Sequence, residues 1–173
     1  MANGNRHYWD ASVICALIMA EHGRVDVCRS LVEAAEQGQV TIVTSALTIA
    51  EVTGGQQTAF RPEVHKAIHE FFSQPFVSIV SVDRFVAERA QELRIDRLQQ
   101  RARKLPGNDA IHLATALMSN VDELFSYDDD DLCNLTGVYI TNIRQSLTIR
   151  HPFWAAQSRL TLPEVEDSKE DLE

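Results

Sequence analysis

Four acidic positions stand out by residue type and by place: Asp10, Glu51, Asp109 and Asp128, the last opening a run of four aspartates. Asp10 closes the apolar run at residues 7–9, and Glu51 lies inside the otherwise apolar segment 46–52. Asp109 follows Pro106-Gly107-Asn108, and Asp128 follows the apolar run that begins at Leu124. Carboxylates gathered in one crevice repel each other and raise each other's pKa. A hard cation relieves that repulsion, and Mg²⁺ and Mn²⁺ prefer carboxylate oxygen and water, often with substrate phosphate as a further ligand. Such an ion can polarise phosphorus, lower the pKa of an attacking water and neutralise the leaving oxygen. The chemistry these acids suit together is phosphodiester hydrolysis. Each also has a plainer reading alone. Asp10 could cap a helix beginning near Ser12, Glu51 could face solvent, Asp109 could complement a helix dipole, and the aspartate run could be a solvated turn.

For the acids to meet, strands and helices must carry them to one place. Residues 7–9, 40–44, 76–80, 124–126 and 138–140 are short runs of strand character. Between them lie helical patterns. One runs over residues 12–21; a second has Cys28, Leu31, Val32 and Ala35 on one face and ends at Gly38. A short helix over 46–52 is closed by Gly54-Gly55. Pro62 opens another, with Val64, Ile68, Phe71 and Phe72 inward, and Pro75 stops it. Asp83 can cap a long helix reaching Lys104, which Pro106-Gly107 breaks. Asn108 can cap the next, with Ala110, Ile111, Ala114, Leu117 and Met118 at core spacing. Alternating strands and helices predict an α/β fold, a mainly parallel five-stranded sheet covered on both faces. Ligands of such sheets bind outside the carboxyl ends of the strands. If the first and fourth strands are neighbours, Asp10 and Asp128 meet there.

The segments Tyr-Trp-Asp-Ala-Ser-Val (8–13), Thr-Ser-Ala-Leu-Thr-Ile-Ala-Glu-Val (44–52), Leu-Pro-Gly-Asn-Asp-Ala-Ile-His-Leu-Ala-Thr-Ala-Leu (105–117) and Leu-Phe-Ser-Tyr-Asp (124–128) resemble the four acidic motifs of PIN-domain nucleases. The likeness is strongest to the VapC-like toxins of toxin–antitoxin systems, and spans residues 6–141 in order and spacing. It implies a three-layer α/β/α fold, metal-dependent cleavage of RNA, frequent homodimers and, for toxins, a protein antitoxin. It also implies roles: Asp10, Glu51, Asp109 and Asp128 as catalytic metal ligands, with Ser12 supporting Asp10. Ser126 takes the place of the usual Thr in the fourth motif. Leu132 falls one position late for Asp128 and on time for Asp129, so either could be the fourth acid. Asn108, Asp129 and Asp131 are expected to support the ligands.

Charge at first opposes this reading. Among 173 residues, 16 Lys+Arg face 25 Asp+Glu, for a net charge of −9, whereas nucleic-acid binding is driven by cations. The excess is local. Residues 163–173 hold six acids and one lysine, and residues 128–131 four aspartates, which together account for the whole −9. Residues 84–104 carry seven basic side chains against three acids, a local +4. On a helix extending that far, Arg94, Arg97, Arg101 and Lys104 share a face leading to Asp109. That face fits an RNA-phosphate stripe and fits equally a solvated helix with i,i+4 pairs.

Other signals are weaker. Cys15, Cys28 and Cys133 lie among apolar residues without metal-type spacing, which suggests buried thiols in a reducing compartment. No apolar run is long enough to span a bilayer, and residues 11–20 lack the flanks of a signal peptide, so a cytoplasmic protein is expected. His65 and His69 lack the intervening Glu of a zinc protease, and His112 is expected to be structural. No G-x-G-x-x-G, P-loop or G-x-S-x-G pattern occurs, and Asp10-Ala11-Ser12 lacks the second Asp of an aspartyl phosphatase. Phe153 and Trp154 are expected in the core. The expected organisation is a nuclease domain over 1–141, an extension over 142–162 and an acidic disordered tail over 163–173. The leading function is an Mg²⁺- or Mn²⁺-dependent endoribonuclease, the toxin of a toxin–antitoxin pair. The alternative is a catalytically weak PIN-like protein-interaction module.

Overall fold

A computed structural model describes residues 5–53, 61–141 and 145–155. The elements are β1 (Asn5–Trp9), α1 (Ala11–Ile18), α2 (Val25–Glu36), β2 (Val40–Ser45), α3 (Ala46–Glu51), α4 (Pro62–Phe72), β3 (Val77–Val80), α5 (Arg84–Gln99), α6 (Gly107–Met118), β4 (Glu123–Phe125), a 3₁₀ turn (Cys133–Leu135) and β5 (Thr148–Arg150). The strands form one sheet in the order β3-β2-β1-β4-β5. Every pairing is parallel, with Tyr8 opposite both Val43 and Leu124.

Alternate strand residues feed opposite faces. Tyr8, Val43 and Leu124 pack with Val86, Ala90 and Leu93 of α5 and Ala110, Leu113 and Leu117 of α6. Trp9, Ile42 and Phe125 pack on the other face with Val13 and Ile14 of α1, Cys28 and Leu31 of α2, and Ile68 and Phe71 of α4. Helices on both faces make the three layers expected. The carboxyl-terminal residues of β1 and β4 (Tyr8, Trp9, Leu124 and Phe125) are therefore fully buried, and polar side chains that follow them need a partner.

Caps fix where several helices start. Asp10 accepts from Val13 N at 3.1 Å to begin α1, Ser45 from Leu47 N at 3.1 Å to begin α3, and Asp83 from Val86 N at 3.0 Å to begin α5. Asn108 is not a cap. Pro106 is the N-cap residue of α6, the first helical bond runs from Ala110 N to the Pro106 carbonyl at 3.0 Å, and Asn108 lies exposed in the first turn.

Two further expectations are corrected. Helix α5 ends at Gln99, not near Lys104. Arg101 adopts φ 52°, Arg101 N donates to the Leu98 carbonyl and Ala102 N to the Arg97 carbonyl. This is the paired bond pattern that closes a helix through a left-handed residue. The reversal returns Leu105, 3 % exposed, to the core between α5 and α6. The second concerns the last strand. Residues 138–140 form one arm of an antiparallel turn, in which Leu147 N donates to the Tyr139 carbonyl and Ile140 pairs with Ser146. The turn delivers Thr148–Arg150 to the edge of β4, so the sheet extends past residue 141 into the segment expected to be an extension. Trp154 packs partly against the α1–α2 core, while Phe153 is exposed beneath the Arg150 guanidinium, 5.0 Å from its ring centre. Residues 163–173 and Gly54-Gly55 lie outside the described residues.

Candidate metal centre

The ends of β1 and β4 are adjacent, with Trp9 opposite Phe125, so the next residue of each strand, Asp10 and Ser126, emerges at the same crevice. Asp10 is 5 % exposed. Its Oδ1 accepts from Ser12 Oγ at 2.6 Å and from Val13 N, and its Oδ2 accepts from Ser126 Oγ at 2.6 Å. Burial pushes its carboxyl upward despite these donors. Asp10 is thus both the helix cap and a member of the crevice. The two serines extend the network, for Ser12 Oγ accepts from Tyr127 N and Ser126 Oγ from Asp128 N, each at 2.9 Å.

Helix α6 brings Asp109 to the same end from the α5–α6 layer. Carboxylate oxygens of Asp109, Asp128 and Asp131 lie within 4.8 Å of one another. Asp109 is buried, and its pKa is pushed up to about 6, first by burial and then by the charges of Asp128 and Asp131. Asp128 Oδ1 accepts from Asp130 N and Asp131 N, both at 3.0 Å, which folds the aspartate run into a turn and turns Asp131 back toward Asp109. The donor set fits a hard divalent cation: three oxygen anions, one of them buried at the cost of its own ionisation. Such a cation would be held by Asp109, Asp128 and Asp131.

Glu51 takes a different place. At the end of α3 its Oε2 accepts from His112 Nε2 at 2.7 Å, and His112 Nδ1 lies 2.8 Å from the buried Tyr8 hydroxyl. Burial raises the Glu51 carboxyl, but the hydrogen bond and charge of His112, with a further hydrogen bond from Asn108, bring it below its ordinary value. Glu51 is therefore held by His112, which lies three residues beyond Asp109 on the same face of α6 and whose charge acts on both Asp10 and Asp109. Asp129 also points elsewhere, its Oδ1 2.7 Å from His151 Nε2.

The basic face is split by the end of α5. Arg94 donates from Nε to the Leu105 carbonyl at 3.2 Å and Arg97 to the Arg103 carbonyl at 3.3 Å, while Arg101 and Lys104 lie beyond the helix and do not continue its face. Arg103 instead reaches the aspartate turn, with Nε 3.1 Å from Asp131 Oδ1 and Nη1 2.8 Å from the Asp130 carbonyl. Arg97, Arg103, Lys104 and Asp131 line a cavity of about 200 Å³ beside the cluster. The positions that spacing alone does not reveal are Tyr8, His112 and Arg103. Their partners are 104, 61 and 27 residues away in sequence, beyond any periodic signal.

The PIN domain family model matches residues 8–137. The chain belongs to the PIN domain family. Among solved structures, this PIN domain is similar to VapC20 of Mycobacterium tuberculosis, described as a sarcin–ricin loop cleaving toxin. That match has 19 % identity and a TM-score of 0.57 over 72 % of this chain and 91 % of that one. It is similar also to VapBC2 of Rickettsia felis bound to a promoter DNA fragment, with 17 % identity and a TM-score of 0.59 over 84 % and 98 % of the two chains. FitAcB of Neisseria gonorrhoeae matches at 19 % identity and a TM-score of 0.53, over 70 % and 87 %. At these identities the likeness shows the fold. No match is found among curated proteins. Among the described residues no helix is long and apolar enough to cross a membrane.

Proposed function

We propose that this PIN domain is an Mg²⁺- or Mn²⁺-dependent endoribonuclease, and the toxin of a pair whose other member is a protein antitoxin. The observation that carries the reading is the convergence of Asp109, Asp128 and Asp131 within 4.8 Å, at the strand ends where Asp10 is also fixed. The toxin role is supported by the family and by the VapC-type neighbours; a homodimeric state and a cytoplasmic location belong to the same proposal.

A divalent ion bound there supplies a Lewis acid for the phosphodiester and lowers the pKa of a nearby water. The chain's own residues do the rest. Asp109 comes from α6 and Asp131 from the aspartate turn, so the ion's position would be set by two separate elements. Ser12 and Ser126 hold Asp10 rigid with 2.6 Å hydrogen bonds. Arg103 beside Asp131, with Arg97 and Lys104, offers positive charge to the phosphates flanking the scissile bond. Arg94 and Arg101 extend that charge away from the centre.

Cleavage of RNA should require Mg²⁺ or Mn²⁺ and fall by about 10²-fold or more in Asp10→Asn and in Asp109→Asn, the scale on which single groups stabilising developing charge act. Equal activity of all three proteins would refute the assignment. One feature favours the interaction-module alternative: both Asp10 oxygens and Glu51 Oε2 are already engaged by protein donors. Calorimetric titration with Mn²⁺ separates the two, because absence of binding at millimolar metal would support the module.

A further inference from the structure

A second group of ligand atoms lies on the outer side of the aspartate turn. A carboxylate oxygen of Asp129, Cys133 Sγ and a ring nitrogen of His151 lie within 4.8 Å of one another, contributed by the turn itself, by the first residue of the 3₁₀ turn and by the residue directly after β5. The sequence gives no hint of them, since the cysteines lack metal-type spacing and His151 is 18 positions beyond Cys133. None of the three belongs to the Asp109–Asp128–Asp131 set.

We infer that Asp129, Cys133 and His151 form a second metal site, selective for a soft divalent ion such as Zn²⁺. Thiolate, imidazole and carboxylate are the three ligand types zinc takes, whereas Mg²⁺ and Mn²⁺ avoid sulfur. Bonds of about 2.0–2.3 Å in a tetrahedron put neighbouring donor atoms about 3–4 Å apart, so a cluster within 4.8 Å would tighten on the ion, with the Cys133 thiol leaving the Ser126 carbonyl, 3.6 Å away. Three protein ligands leave the fourth place for water or a partner's side chain.

The scaffold is already set. Cys133 N donates to the Asp128 carbonyl at 3.0 Å, and Asn134 Nδ2 donates to the Asp129 carbonyl at 2.7 Å and to the Asp130 carbonyl at 3.0 Å. The Tyr127 ring, 5.2 Å from the His151 ring, restricts the imidazole on its other side. His151 Nε2 already meets Asp129 Oδ1 at 2.7 Å, a place where a metal ion can replace the shared proton. Because Asp129 is next to Asp128, zinc here would tie β5 to the turn that carries the acidic centre.

Co²⁺ titration of the full-length protein in excess Mg²⁺ tests this, because Mg²⁺ occupies oxygen sites and leaves a thiolate site free. The expected result is one equivalent of Co²⁺ giving a near-ultraviolet thiolate-to-cobalt charge-transfer band and visible bands of tetrahedral intensity. Zn²⁺ should abolish both. The band should vanish in Cys133→Ser and lose at least about tenfold in affinity in His151→Gln, whose side chain is exposed and whose loss leaves the core intact. It should persist in Asp109→Asn, which keeps this test independent of the proposed nuclease activity. No charge-transfer band, or a band unchanged in folded Cys133→Ser, would overturn the site.

Discussion

The surroundings of Asp109 oppose its charge, and this has a measurable consequence without metal. Its pKa is raised from 3.8 to about 6 by burial and by Asp128 and Asp131. A carboxyl with a folded-state pKa above its unfolded value favours folding fully below the lower pKa. That contribution is lost as pH rises through the higher one. In EDTA, Asp109→Asn should therefore be more stable than wild type at neutral pH, by on the order of 2–3 kcal/mol at about 1.4 kcal/mol per pKa unit. The gap should close as the pH falls below about 4. Urea unfolding at several pH values measures it, and a gap independent of pH would show that Asp109 bears no such penalty. Added Mn²⁺ should reverse the order, since ligand binding to the folded state stabilises only the protein with the intact site. At this scale the sequence reveals the acids but not how they divide. Asp10, Asp109 and Asp128 reach the crevice because strand ends and helix starts put them there. Asp131 joins them through a turn made by Asp128's own side chain, and Glu51 is drawn to His112, an attachment that neither periodicity nor spacing encodes.

Helix ends account for most of what element patterning finds and misses. Alternating strand runs and apolar helix faces locate β1 to β4 and α1 to α6, because burial on the two faces of one sheet imposes those periods. The last turn of α5 is misplaced because Arg101 takes a left-handed conformation at φ 52°, where glycine is usual. Gly38 does the same job for α2 at φ 71°, with Gly38 N bonded to the Ala35 carbonyl and Gln39 N to the Ala34 carbonyl. Ala20 closes α1 likewise at φ 52°. No atom lies within 4 Å of a Cβ built on Gly38, so Gly38→Ala should be destabilising through its torsion alone. The cost should be about 1 kcal/mol. Ala20→Gly should move the other way by less, because glycine loses more chain entropy on folding. Chemical-denaturation midpoints read both, and a neutral Gly38→Ala would mean that α2 can end through another conformation. The edge strand β5 escapes pattern reading for a different reason. Its three residues alternate exposed, buried, exposed, the same pattern that the antiparallel arm at 138–140 displays.

At the scale of the whole molecule, charge and chain extent both depend on where segments lie. The net −9 is an average over unlike parts. Four of its charges are the aspartates at 128–131, where Arg103 pairs with Asp130 and Asp131 and where bound cations would offset the remainder. Chain extent is set by β5. Leu147 and Ile149 are 1 % and 2 % exposed and belong to the same core as α5 and α6. Arg150 adds a 2.7 Å ion pair to Glu123 on β4. Burying each of those two apolar side chains is worth about 1.5–3 kcal/mol, and removing β5 also exposes the backbone edge of β4. Set against a typical domain stability of about 5–15 kcal/mol, that loss is large enough to abolish folding. A chain ended at Thr141 should accumulate as insoluble protein or unfold without cooperativity, whereas one ended at Ala155 should keep a cooperative thermal transition. If the shorter chain melts like the longer one, β5 contributes little, and the acidic centre is supported by the first four strands alone.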